Sequence, residues 1–84
     1  MSYLRIGKET RKDPQKIIDE ATKFFGPGGT GLELTETTQD AVELRGGGGF
    51  VRVQVKSSEN GGKNEVEILT QDWEYAVKKF LGTL

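Results

Sequence analysis

Two alternating runs separated by an Asn-Gly pair constrain this chain more than any other feature. Phe50-Val51-Arg52-Val53-Gln54-Val55-Lys56 alternates apolar and polar residues, and Asn64-Glu65-Val66-Glu67-Ile68-Leu69-Thr70 does the same. A period of two sets Val51, Val53 and Val55 on one face of a strand, and Val66 and Ile68 on one face of the next. Between the runs, Asn60-Gly61 suits a two-residue type I′ turn, whose central residues both need positive φ. Centring the turn there pairs Val55 with Val66, Val53 with Ile68 and Val51 with Thr70. Turn chemistry and side-chain parity are independent, and they agree. A slip of one residue would turn the whole apolar face to water.

The same arithmetic extends towards the N-terminus. In Ala41-Val42-Glu43-Leu44-Arg45, Val42 and Leu44 share a face, and a turn at Gly47-Gly48 sets Leu44 opposite Val51 and Val42 opposite Val53. Leu32-Glu33-Leu34-Thr35-Glu36-Thr37 alternates with Leu32 and Leu34 inward. A connection around Thr38 pairs Leu34 with Val42 and Leu32 with Leu44, and sets Glu33 beside Glu43. Tyr3-Leu4-Arg5-Ile6 reads as a short first strand with Leu4 and Ile6 inward.

Two helices cover that apolar face. Asp13-Pro14 supplies an N-cap followed by proline at the first helical position. Ile17, Ala21 and Phe24 then recur at helical spacing, flanked by Ile18 and Phe25, until Gly26-Pro27 stops the helix. The second helix is expected to start near Thr70 or Asp72 and to run for about 10 to 12 residues, or about 15 to 18 Å. Trp73, Val77 and Phe80 form its stripe, Ala76 and Leu81 lie alongside, and Gly82 ends it. The expected fold is therefore α+β in the order β-α-β-β-β-β-α, an antiparallel meander with two helices on one face. No linker divides the chain, so residues 1–84 read as one domain.

Composition removes whole classes of chemistry. The 84 residues include no cysteine and no histidine. That excludes disulfides, thiolate nucleophiles, zinc ribbons and every Ser-His or Cys-His triad. No D-x-[DN]-x-[DN]-G run offers a calcium loop, so no metal ligand and no cofactor site is assigned. Nor is there an apolar run long enough to span a membrane, or a signal-peptide succession, and the expected location is cytoplasmic. Arg5, Lys8, Arg11, Lys12 and Lys16 cluster in sequence and read as a solvated face.

From Val66 to Leu81, the stretch Val66-Glu67-Ile68-Leu69-Thr70-Gln71-Asp72-Trp73-Glu74-Tyr75-Ala76-Val77-Lys78-Lys79-Phe80-Leu81 resembles the last strand and closing helix of the TATA-binding-protein-like fold and of its larger relatives, the helix-grip (START-like, polyketide cyclase-like) domains. The element order resembles theirs over nearly the whole chain. The resemblance implies a curved sheet gripped by its C-terminal helix, with either an apolar cavity beneath that helix or a nucleic-acid-binding sheet face. Two departures weigh against these inherited roles. The closing helix is short, and the outward sheet positions carry Glu33, Glu43, Glu65 and Glu67 against Arg45, Arg52 and Lys56, a mixture that repels phosphate about as much as it attracts it.

The glycine-rich run at residues 26–31 follows a helix and lacks a Gly-Lys-Ser/Thr ending, so it reads as a helix stop and loop rather than a phosphate cradle. Glu65 and Glu67 face Lys56 and Gln54, where cross-strand pairing accounts for them. Glu33 and Glu43 are the remaining candidates for acid–base chemistry, with Arg45 or Arg52 placed to relieve their repulsion.

Phe50 and Leu69 break the polar-outside pattern. Parity sets Leu69 opposite Arg52 and diagonal to Phe50, which makes Phe50, Arg52 and Leu69 a candidate contact patch for a second copy of the chain or for another protein. The alternative is a small apolar ligand in a cleft between the C-terminal helix and the sheet, bounded by Phe24, Phe25, Trp73 and Val77. The expected function is a non-enzymatic binding or interaction module, with neither nucleic acid nor membrane as its partner.

Overall fold

The computed structural model describes residues 3–57 and 62–84. Seven elements follow the expected order: β1 (Tyr3–Thr10), α1 (Pro14–Phe25), β2 (Glu33–Thr37), β3 (Ala41–Gly46), β4 (Gly49–Ser57), β5 (Asn64–Gln71) and α2 (Glu74–Leu81). The five strands form one antiparallel sheet in the order β1-β5-β4-β3-β2. α1 leaves β1 at one edge, crosses the sheet above β3 and β4, and delivers the chain to β2 at the other edge. α2 lies over β5.

Both central hairpins keep the register read from parity. Val55 pairs with Val66 and Val53 with Ile68, while Leu44 pairs with Val51 and Val42 with Val53. Gly47 (φ 58°) and Gly48 (φ 84°) form the two-residue turn between β3 and β4, in the left-handed region where a side chain is strained. The Asn60-Gly61 turn lies outside the described residues, yet Ser57 opposite Asn64 closes the β4–β5 ladder in the register that turn requires.

The core is the inward face of the meander against one stripe of each helix. Val42, Leu44, Val51, Val53, Val66 and Ile68 are fully buried beneath Ile17, Ala21, Phe25 and Val77. Asp13 caps α1 by accepting from the Gln15 amide at 2.9 Å. Phe24, Phe25 and Phe80 meet with ring centroids 5.0 to 5.4 Å apart and join the two helices. Thr70, fully buried on the apolar face, donates its hydroxyl to the Phe50 carbonyl at 2.7 Å.

Three expectations need correction. β1 runs to Thr10 instead of stopping near Ile6, because β5 offers a partner along its whole length, from Tyr3 opposite Gln71 to Thr10 opposite Asn64. β2 takes another register: Leu34 pairs with Leu44 and Glu33 with Arg45, and after a bulge at Thr35 Glu36 pairs with Glu43 and Thr37 with Val42. The cause is local. The Thr38 hydroxyl accepts from the Asp40 and Ala41 amides and the Thr38 amide donates to the Ala41 carbonyl, so the connection Thr38–Asp40 is a three-residue loop closed by a side chain. Leu34 thus shares the inward face but is 41% exposed, beyond the cover of α1.

α2 starts later than expected and is 8 residues long, about 12 Å. The β5 ladder holds Gln71 between Tyr3 and Phe50. Asp72 then turns the chain at φ 69°, a conformation no helix can incorporate, so the first helical residue is Glu74.

Candidate functional site

Both helices occupy one face of the sheet, which leaves the other open. Strand parity sends Tyr3 and Arg5 of β1, Glu67 and Leu69 of β5, Phe50, Arg52 and Gln54 of β4, and Glu43 and Arg45 of β3 to that open face. Leu69 lies directly opposite Arg52 and on the diagonal from Phe50, as parity implies. Phe50, Arg52 and Leu69 therefore do come together.

Two residues join them that the sequence alone did not assemble. Tyr3, 57% exposed, packs against Phe50 in a tilted arrangement with ring centroids 5.9 Å apart, and Arg5 sits opposite Leu69. The alternation of residues 3–6 already marks Tyr3 and Arg5 as outward. Their proximity to Phe50 and Leu69 depends on β1 pairing with β5, a long-range choice that no local pattern encodes. On the far side of Phe50 the Arg45 guanidinium lies 5.3 Å from the ring centroid, within cation–π range.

Around Leu69, Arg5, Arg52, Gln54 and Glu67 enclose a recess of about 180 Å³. Its charges are arranged in pairs. Arg5 donates to Glu67 at 3.2 Å, and Arg52 lies 3.6 Å from Glu43 and 3.8 Å from Glu36. Lys56 stands opposite Glu65 in register, and among the described residues Glu67 forms its ion pair with Arg5. The result is an apolar floor with two guanidinium groups at its rim, each with spare N–H donors.

The β2 register changes which carboxylates meet. Glu36, not Glu33, faces Glu43, and Glu33 faces Arg45. Glu43 is already engaged: Arg45 Nε donates to it at 3.1 Å, Arg52 stands 3.6 Å away, and the Thr35 hydroxyl lies 3.4 Å away. This cross-strand network ties the edge strand β2 to β3 and β4. Among the described residues no group of three or more acidic side chains gathers at metal-binding distance.

The glycine-rich run after α1 also has a structural assignment. The Gly29 and Gly31 amides donate to the Gly26 carbonyl, the Thr30 amide to Phe24 and the Leu32 amide to Phe25, at 2.8 to 2.9 Å. These N–H groups satisfy the last carbonyls of the helix and do not point outward at an anion. Part of the basic cluster has a similar task. Lys8 Nζ donates to the Leu81 carbonyl at 2.9 Å, and Lys12 Nζ to the Thr83 carbonyl at 3.0 Å and to Glu20 at 2.8 Å. Both cations therefore lie at the negative end of α2.

The residues of the expected cleft separate by depth. Phe25 and Val77 are fully buried. Trp73, half-buried at the start of α2, donates its indole N–H to the Gly46 carbonyl at 3.0 Å. Phe24 lines two shallow grooves on the outer side of the helices. One, of about 310 Å³, is completed by Glu20, Lys23, Phe80 and Thr83. The other, of about 370 Å³, is completed by Thr30, Tyr75, Ala76 and Lys79 among others. No helix among the described residues is long and apolar enough to cross a membrane. Compared with models of protein families, with curated proteins and with solved structures, the chain matches none.

Proposed function

We propose that this chain is a non-enzymatic interaction module that receives another protein on its open sheet face, centred on Phe50, Arg52 and Leu69. The observation that supports it best is the uncovered aromatic and aliphatic cluster Tyr3–Phe50–Leu69 flanked by Arg5, Arg45 and Arg52. Sheet faces that meet only water are ordinarily polar throughout. Aromatic and arginine side chains grouped on one surface match the composition of binding hot spots. The recess at Leu69 would take one apolar anchor, and the free N–H groups of Arg5 and Arg52 would donate to carboxylate or carbonyl oxygens beside it.

Affinity capture with wild-type and Leu69→Glu baits, followed by chemical-shift mapping of the captured partner, tests the reading. A partner held by wild type, lost by Leu69→Glu, and shifting Tyr3, Phe50, Arg52 and Leu69 is expected. Equal capture by the two baits, or shifts confined to the helices, would refute it. The resemblance to helix-grip domains supports a second reading, a small apolar ligand, and the two grooves sharing Phe24 are its structural support. Quenching of Trp73 emission by apolar ligands, abolished in Phe24→Ser, would favour that reading over the first.

A further inference from the structure

The sheet has two edges, and only one is protected. β2 is short, bulged at Thr35, and carries Glu33 and Glu36; bulges, short length and charge are the usual devices that stop an edge from pairing with another chain. β1 has none of the geometric devices. It spans 8 residues in unbroken register with β5. Its inward cation, Lys8, is drawn over the end of α2 instead of standing across the edge.

Alternation fixes which backbone groups of β1 lie free. The two-residue turn at Gly47-Gly48 makes Gly46 and Gly49 a hydrogen-bonded pair, and the Val55 amide, directed away from β5 to the Asp40 carbonyl, agrees with that phase. Carrying the phase across β4 and β5 directs Leu4, Ile6, Lys8 and Thr10 to β5. It leaves the N–H and C=O groups of Tyr3, Arg5, Gly7 and Glu9 along the open edge.

Two further features of β1 have no purpose in the protomer. Glu9 stands directly opposite Glu65, a like-charge pair that neither carboxylate relieves through an ion pair among the described residues. Gly7 occupies a strand interior, where glycine weakens pairing. A methyl group there would meet only the Val66 carbonyl oxygen, at an ordinary 3.6 Å. Gly7, Lys8, Glu9 and Glu65 together border a notch of about 260 Å³ at the edge.

We infer that β1 is the interface of a symmetric homodimer, in which two copies pair antiparallel through this edge with Gly7 opposite Gly7 of the second copy. Parity allows only registers that keep inward residues opposite inward residues. Among these, centring on Arg5, Lys8 or Glu9 opposes a charge to itself. Centring on Ile6 opposes Arg5 to Gly7. Centring on Gly7 opposes Arg5 to Glu9 twice, once on each side of the two-fold axis. Each Arg5 keeps its bond to Glu67 and turns one further donor to Glu9 of the second copy, which also neutralises the Glu9–Glu65 repulsion and leaves other donors free. The free N–H and C=O groups of Arg5, Gly7 and Glu9 then pair across the axis, and two five-stranded sheets become one of ten with all helices on one side.

Sedimentation across the micromolar to millimolar range tests this, together with amide exchange. Wild type should pass from the 9.3 kDa chain mass to twice that mass, and the Arg5, Gly7 and Glu9 amides should slow in parallel. Arg5→Glu and Glu9→Lys each set like charges opposite one another and should weaken association at least about tenfold, with thermal unfolding confirming that each variant folds. An equimolar mixture of the two restores opposite charges on both sides of the axis and should dimerise as wild type does. A wild type monomeric throughout, a dimer indifferent to both substitutions, or single losses that the mixture fails to rescue would each overturn the inference.

Discussion

Replacing Gly49 with alanine tests how closely β4 and β5 approach at the base of the β3–β4 turn. Gly49 is buried and has no positive φ, so backbone conformation is not at issue. Its added methyl would fall inside the van der Waals surface of the Gln71 carbonyl oxygen, 3.0 Å from the carbonyl carbon and 3.1 Å from Asp72 Cβ. Comfortable carbon–carbon separations are about 3.5 to 4.0 Å, so strands locked in register must part by about half an ångström or more. Overpacking of that kind costs about 1 to 3 kcal/mol and occasionally more. Because the obstacle is backbone and cannot rotate away, we place this substitution at about 2 to 3 kcal/mol. For a domain this small, that corresponds to a fall in melting temperature of about 8 to 24 °C.

Two other glycine substitutions calibrate the effect. Gly48→Ala meets no atom within 4 Å but holds φ 84°, so it should cost about 1 kcal/mol. Gly28→Ala, in open space without positive φ, should be neutral or stabilise by up to about 1 kcal/mol. Urea denaturation of the three variants at constant slope measures all of this. If Gly49→Ala unfolds within about 0.5 kcal/mol of wild type, or if Gly48→Ala proves the more damaging of the two, the close approach of Gln71 is not what holds position 49 as glycine.

Other outcomes follow from single contacts. Thr70→Val keeps the buried shape but loses the 2.7 Å hydroxyl bond to the Phe50 carbonyl and should cost about 1 kcal/mol by thermal unfolding. Trp73→Phe removes the indole donor to the Gly46 carbonyl and should cost a similar amount, about 1 to 2 kcal/mol with the lost packing. Asp72→Gly relieves a non-glycine residue at φ 69° and should change stability by less than about 1 kcal/mol, while Asp72→Val should destabilise by about 1 to 2 kcal/mol, both read from denaturant midpoints. Leu69→Glu, on the open face, should leave the melting temperature nearly unchanged while abolishing partner binding.

What the sequence discloses here divides along physical lines. The β3–β4 and β4–β5 registers were legible because each rests on side-chain parity and a glycine-containing turn, two local signals that reinforce each other. The β2 register was not, because it depends on the Thr38 hydroxyl closing a loop and on a bulge at Thr35, neither of which leaves a mark in apolar alternation. The start of α2 is hidden for the reverse reason. Residues 70–73 are compatible with a helix by composition, and only the ladder partners Tyr3 and Phe50 keep Gln71 extended. In the candidate site, Phe50 and Leu69 are legible because they violate a pattern, and Arg52 because parity sets it opposite Leu69. Tyr3 and Arg5 obey their pattern, and only the long-range pairing of β1 with β5 gave them significance.

Packing density then limits where function can reside. A typical ligand pocket occupies about 300 Å³ or more. Each cubic ångström of core left empty costs about 24 cal/mol, so such a void would cost about 7 kcal/mol. A chain of 84 residues has a total stability of about 4 to 13 kcal/mol. Between the helices and the sheet, Phe25, Val77 and Ile68 are fully buried and Phe80 nearly so, and these belong to one apolar core. The grooves and recesses described lie on the surfaces of the chain: the shallow grooves at Phe24, the open sheet face, and the free edge of β1. Of these, the sheet face and the edge meet at Tyr3 and Arg5, whose side chains serve the former and whose backbone groups lie along the latter. A dimer formed through the edge would set two Phe50–Leu69 patches on one continuous sheet surface. A partner presenting two copies of its own anchor would then bind far more tightly than one presenting a single anchor, because the second contact would form within an existing complex.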